Sequence, residues 1–289
     1  MSLSPELGSP RSFQSSAGPI TWRERGRGRA IVFVHGLLVN GDLWRKVVPG
    51  LADDFRCITP DWPLGAHRPA LAADADLSIE GVARLIAEFL EANELHDVVL
   101  VANDTGGAVS QVLMTRWPER IGAVVLTPCD CFDNFLPRLF RPLQWAAHAP
   151  PLLTAALQLL RIRRARRLPV ALGWLAKRPV EPREIEDGYA APFLSDAGVR
   201  RDTCKVLRAI SPRVTQEAAD RLPKLEPPVL LAWASEDRFF PPEHARRLAA
   251  LLPDARIEWI DDSYTFVSED QPERLVGAIR AFAKSPSFC

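Results

Sequence analysis

Apolar positions along the chain alternate between two rhythms. Residues 30–35 (Ala-Ile-Val-Phe-Val-His) form a nearly unbroken apolar run that ends in Gly36, the pattern of a strand buried on both faces. Short runs of the same kind recur at 55–59, 98–102, 123–127, 229–233 and 256–260. Between them the spacing turns helical, over 43–51, 77–93, 108–117, 242–252 and 272–283. The clearest case is 77–93, where Ile79, Val82, Leu85, Ile86, Phe89 and Leu90 recur at i, i+3, i+4 and Ser78 is placed to cap the start. Strand and helix in alternation with short connections predict an α/β fold built on a mostly parallel sheet with right-handed crossovers.

Two stretches depart from that rhythm. Residues 136–210 are rich in Leu, Ala and Arg, punctuated by Pro, and carry no strand pattern. They are read as a helical cap inserted into a core made of 19–135 and 211–289. Residues 1–18 are polar and rich in Pro, Ser and Gly with no apolar stretch, and are expected to be a disordered lead and not a signal peptide. No internal repeat is visible.

Composition narrows the classes of partner. At 289 residues and 47% hydrophobic, the chain can bury one large core. Lys+Arg and Asp+Glu both total 36, so the formal net charge is zero and no global field draws nucleic acid or an anionic membrane. The run Arg161, Arg163, Arg164, Arg166, Arg167 is basic and amphipathic; a solvated face is preferred for it over a membrane-surface role. The five cysteines are odd in number and irregularly spaced, unlike a zinc site or a disulfide framework, and fit a reducing compartment. No apolar run is long enough to span a bilayer. The expectation is a soluble cytoplasmic protein that meets a small hydrophobic molecule, with no nucleic acid, membrane, cofactor or metal; the oligomeric state stays open.

The candidate chemistry lies where the strand at 98–102 runs into Asn103-Asp104-Thr105-Gly106-Gly107 and then a helix. A sharp strand-to-helix turn lifts its central residue to the sheet's edge and demands small residues two before and two after it. Ala102 and Gly106 meet that demand around Asp104. A helix N-terminus favours the ionised carboxylate. Asp104 as a plain helix cap is the alternative.

With His35-Gly36 after one strand, Pro60-Asp61 after the next, Asn103-Asp104-Thr105-Gly106-Gly107 at the turn, Arg116-Trp117-Pro118-Glu119-Arg120 before the following strand and Ser235-Glu236-Asp237 after a late one, the chain resembles the α/β-hydrolase superfamily. Its aspartate at the elbow resembles the haloalkane dehalogenase and epoxide hydrolase branch. The resemblance implies the α/β-hydrolase fold with an inserted cap, Asp104 as nucleophile, Asp237 as the acid that orients an imidazole, and the backbone N–H groups of Leu37 and Thr105 as oxyanion donors. Asp130 falls where some dehalogenases keep an alternative acid; a turn residue is the plainer reading.

The pattern also fails at a definite place. Counting back from Gln271-Pro272, the family's histidine position falls on Thr265, or on Tyr264 with a one-residue gap. Neither hydroxyl is a base near neutral pH. Of the other histidines, His35 is expected to brace the oxyanion loop and His244 to face solvent, while His67 and His148 are the two with a route to the pocket. Leu37 and Thr105 replace the side-chain halide donors of dehalogenases, and Tyr189 and Tyr264 are the only tyrosines available to protonate an epoxide. The expected function is therefore an enzyme acting on a small hydrophobic molecule through Asp104 with an incomplete triad. Alternatives are an inactive ligand-binding relative, or a non-covalent acid/base lyase, isomerase or cyclase.

Overall fold

The computed structural model describes residues 4–284, except for the side chain of Val170. Eight strands form one sheet: β1 (Pro10–Ser15), β2 (Gly18–Arg25), β3 (Ala30–Val34), β4 (Arg56–Pro60), β5 (Val98–Asp104), β6 (Ile121–Cys129), β7 (Val229–Ala234) and β8 (Ala255–Ile260). Their order is β1-β2-β4-β3-β5-β6-β7-β8. The six strands from β4 to β8 in that order are parallel, and β1 and β2 add an antiparallel edge. All six parallel strands coincide with the predicted apolar runs to within a few residues. Among them β3 and β7 are buried at every position, as expected for strands covered on both faces.

Helices supply that cover: α1 (Val48–Leu51), α2 (Ile79–Ala92) and α3 (Thr105–Arg116) lie in the first half of the chain. The Ser78 hydroxyl accepts from the Gly81 N–H at the start of α2, the cap expected there. The helix predicted over 43–51 is broken instead into a 3-10 turn, Gly41–Trp44, and the single turn α1. Pro49 has no N–H to give to the carbonyl four residues back, so the ladder cannot run through.

The expected disordered lead is corrected by the structure. Residues 10–15 pair with 18–23 as a hairpin, and Leu7 is buried. The signal was weak because β1 is mostly exposed and is held by backbone pairing and by one ring: Phe13 meets Phe89 of α2 edge-on at 5.4 Å. The Ser16 backbone N–H and hydroxyl also donate to the Glu88 carboxylate. In β2, Arg23 is buried against Asp61, a charge where a core strand would normally carry an apolar residue.

Residues 136–210 are mostly helical, with no named strand among the described residues: α4 (Arg141–Ala146), α5 (Pro150–Gln158), α6 (Ala191–Ser195) and α7 (Ala197–Ala209) alternate with short 3-10 and π turns and a non-helical stretch at 174–181. The chain returns through α8 (Pro212–Ala219), and α9 (Pro242–Leu251), α10 (Val267–Asp270) and α11 (Pro272–Ala283) complete the core. One cluster of contacts fastens the helical segment to the core. The Asp270 carboxylate accepts from the backbone N–H groups of Lys177, Arg178 and Tyr264 at 2.8–3.0 Å, and the Phe266 N–H donates to the Leu175 carbonyl. No described helix is long and apolar enough to cross a membrane.

Candidate active site

Asp104 is the last residue of β5, and α3 begins at Thr105. Its backbone sits at φ +53°, ψ −132°, a left-handed conformation that costs an aspartate about 1–3 kcal/mol and persists only where its surroundings impose it. The turn around it is closely packed. A Cβ on Gly106 would lie 2.4 Å from the His35 carbonyl oxygen, and one on Gly36 would lie 2.2 Å from Asp104 Oδ2. Only glycine fits either place.

The carboxylate does not cap α3. Instead the Leu37 N–H donates to Oδ2 at 3.2 Å, and Asp104 forms part of the wall of a cavity of about 310 Å³ between the sheet's edge and the helical segment. Leu37, Leu38 and Val39 come from the loop after β3, Phe266 from the loop after β8, and the remaining wall from residues 136–189. Every lining side chain is apolar except those of Asp104 and Tyr189. Desolvation in this setting raises the Asp104 pKa to about 6, opposed by the N–H groups of Thr105 and Leu37.

Asp237 stands after β7. Its Oδ1 accepts from the Phe239 and Phe240 N–H groups at 2.8 and 2.6 Å, and its Oδ2 accepts from the Thr265 hydroxyl at 2.9 Å. Thr265 is fully buried, and its carbonyl accepts from the Asn103 side-chain amide, one residue before Asp104. Burial, first, lifts the Asp237 carboxyl to about 7, and the nearby Asp104 charge adds to the rise. The carboxylate, the hydroxyl and the elbow thus form one connected unit behind the cavity wall.

The other expected site residues are placed differently. Thr105 is buried and its hydroxyl donates to Asp130 Oδ2 at 3.1 Å; only its N–H is turned to Asp104. Asp130 is neither a surface turn residue nor part of the cavity wall. It is fully buried beneath the elbow with Oδ1 unpartnered among the described residues, and burial followed by the Asp104 charge pushes its pKa far up. Tyr264 does not line the cavity: its ring lies under the cations of Arg238 and Lys177 at 4.8 and 5.4 Å.

None of the five histidines is among the cavity's lining residues. His35 is held as the neutral ring, because its Nδ1 faces the Gly36 carbonyl while its Nε2 accepts from the Trp62 N–H; burial lowers its pKa to about 4. His67 pairs with Asp202 at 3.3 Å. His148 is exposed. His244, expected to face solvent, is buried against Phe132 instead.

The model of the "Alpha/beta hydrolase family" matches residues 31–278, most of the chain. This protein belongs to the alpha/beta hydrolase family. Among its relatives is "Haloalkane dehalogenase 2" of Mycobacterium tuberculosis, 26% identical over 281 residues and covering 93% of both chains. Another is "Cis-3-alkyl-4-alkyloxetan-2-one decarboxylase" of Xanthomonas campestris, 27% identical over 270 residues and 88% of each chain. The crystal structure of an alpha/beta hydrolase fold protein from Burkholderia ambifaria superposes with a TM-score of 0.80 at 22% identity, over 94% of this chain and 97% of that one.

Within this alpha/beta hydrolase, the tyrosine that lines the cavity is Tyr189, which the sequence offered beside Tyr264 without saying which of them faces it. Its ring lines the cavity, and its hydroxyl is buried without a hydrogen-bond partner among the described residues. Burial first, and then the Glu269 carboxylate, raise its pKa far above the usual phenol range, so it remains a donor. A tyrosine in an apolar helical stretch was the available signal, but nothing in the spacing says which way it faces.

Proposed function

We propose that this alpha/beta hydrolase acts on a small hydrophobic molecule by attack of the Asp104 carboxylate on an electrophilic carbon, with the second, hydrolytic step unsupported by any imidazole. One observation carries the reading: an apolar cavity whose only two polar side chains are a carboxylate on a strained turn and an unpartnered phenol. Leu37 N–H holds Oδ2 and leaves Oδ1 to form the bond. As that C–O bond forms, the bond from carbon to its leaving group breaks and the electron pair departs with the leaving atom. The Tyr189 hydroxyl is the donor available to receive that charge. Hydrolysis of the resulting ester requires a base to take a proton from water. Thr265 occupies the place beside Asp237 where such a base would stand, so the ester is expected to accumulate.

Intact-mass measurement after incubation with alkyl halides and epoxides tests this. One alkyl group is expected on Asp104, formed faster as pH rises through about 6, because only the ionised carboxylate attacks. Asp104→Asn should give no adduct. Turnover without a trapped adduct would show that another group activates water.

A second reading has its own support. A carboxyl titrating at about 6 exchanges protons readily near neutrality, and one relative is named as a decarboxylase. Conversion of substrate without any adduct and without incorporation of solvent oxygen would favour such acid/base chemistry. Saturable binding of an apolar ligand with neither adduct nor conversion would favour a binding protein.

A further inference from the structure

Leu139, Trp145, Leu152, Leu159, Ile162 and Leu168 are the large apolar side chains left exposed among the described residues, and all six fall within one thirty-residue part of the helical segment. Trp145 is 72% exposed and Leu152 64%, far beyond what scattered surface apolars require. Leu139, Leu159 and Leu168 also line the cavity that holds Asp104. Three of these exposed leucines therefore belong both to the cavity wall and to the surface.

The charge around this patch is one-sided although the whole chain is neutral. Residues 136–180 contain nine Arg and Lys and no Asp or Glu. Arg161, Arg163, Arg164 and Arg167 are exposed, and none has an ion pair among the described residues. A second depression of about 700 Å³ is walled by Arg163, Arg164 and Arg167 together with Arg166 and Arg178, which are paired with Glu186 and Asp262, and it shares Leu172 and Ile185 with the wall of the Asp104 cavity. Exposed guanidinium groups of Arg161, Arg163, Arg164 and Arg167 in the same segment as exposed Trp, Ile and Leu side chains match the two layers of an anionic bilayer surface, phosphates outside and acyl chains within.

We propose that this face of the helical segment docks on an anionic lipid bilayer, with Trp145 and Leu152 in the acyl boundary and the arginines on headgroup phosphates. The Asp104 cavity then opens toward the membrane and takes apolar molecules from it. The sequence alone set a membrane aside because net charge averages this segment with acidic regions elsewhere. Folding leaves the segment's unpaired arginines and its large apolar side chains exposed.

Co-sedimentation of the full chain with phosphatidylcholine vesicles, with and without phosphatidylglycerol, tests docking by a readout independent of Asp104 chemistry. Anionic vesicles should bind the protein strongly and release it as salt is raised, while neutral vesicles bind at least tenfold less. Removing Arg161, Arg163 and Arg164 together (each →Gln) should weaken partitioning roughly a hundredfold, at roughly fivefold per charge. Trp145→Ser with Leu152→Ser, both on exposed positions, should weaken it about tenfold or more, and Asp104→Asn should leave it unchanged. Absence of vesicle binding overturns the proposal, as does equal binding to neutral and anionic vesicles. So does a dimer, seen by light scattering, that buries the patch and persists unchanged with vesicles present.

Discussion

At the scale of single residues, the decisive contrast is between Asp104 and Thr265. The first holds a left-handed backbone in a turn packed so closely that only glycine fits at 36 and 106. The second donates its hydroxyl to Asp237 Oδ2 at 2.9 Å. A side chain at 265 therefore reaches the acid, and an imidazole there would be oriented and charge-stabilised by it. Thr265→His is expected to convert a trapped Asp104 ester into repeated turnover, read as loss of the adduct mass and appearance of free alcohol. A variant that keeps its fold and its adduct would show that Asp237 is not positioned to support a base. Of the site, Asp104 and Asp237 were legible in the sequence because each follows a strongly patterned strand. The directions of Tyr189 and Tyr264 were not: one lies in a short π-helical turn and the other in a loop, where spacing does not say which way a side chain faces.

At the scale of elements, the loop after β8 has become an anchor for the helical segment. Asp270 gathers three backbone N–H groups from two separate stretches, and Arg238 stacks on both Trp174 and Tyr264. Asp270→Ala would leave three amides without their acceptor, at about 1–3 kcal/mol each where burial persists. Faster hydrogen exchange around 172–180 and 262–271 is expected, with the sheet amides protected as before; uniform loss of protection would mean the contact is global and not a local clasp. The missed hairpin belongs to this scale too. Strand β1 shows almost no apolar alternation, since its stability comes from pairing with β2 and from Phe13 on Phe89. Neither contact leaves a periodic trace in the sequence.

For the whole molecule, the carboxyls behind the cavity link stability to pH. Asp237 is raised to about 7 and Asp104 to about 6, so the folded chain holds protons that the unfolded chain has released. Their stabilising contribution is complete below the unfolded carboxyl pKa of about 4. It is lost as pH rises through about 6 to 7, since stability falls wherever the folded state binds more protons. Asp237→Asn keeps an oxygen for the Phe239 and Phe240 amides and removes the buried charge. Its stabilising effect in denaturant titration should grow by about 2 kcal/mol between pH 5 and pH 8; an effect that does not change with pH would mean the carboxyl is not the titrating group.

The sequence by itself determined the parallel sheet, its helical cover and the aspartate at the turn, because each is written in local periodicity or in a short run of small residues. Only the tertiary structure decided which side chains come together: Thr265 on Asp237, Asp130 buried beneath the elbow, Tyr189 on the cavity wall, and exposed leucines in that same wall. Those relations join positions tens of residues apart. They depend on where separate segments pack, and a local pattern contains no term for that.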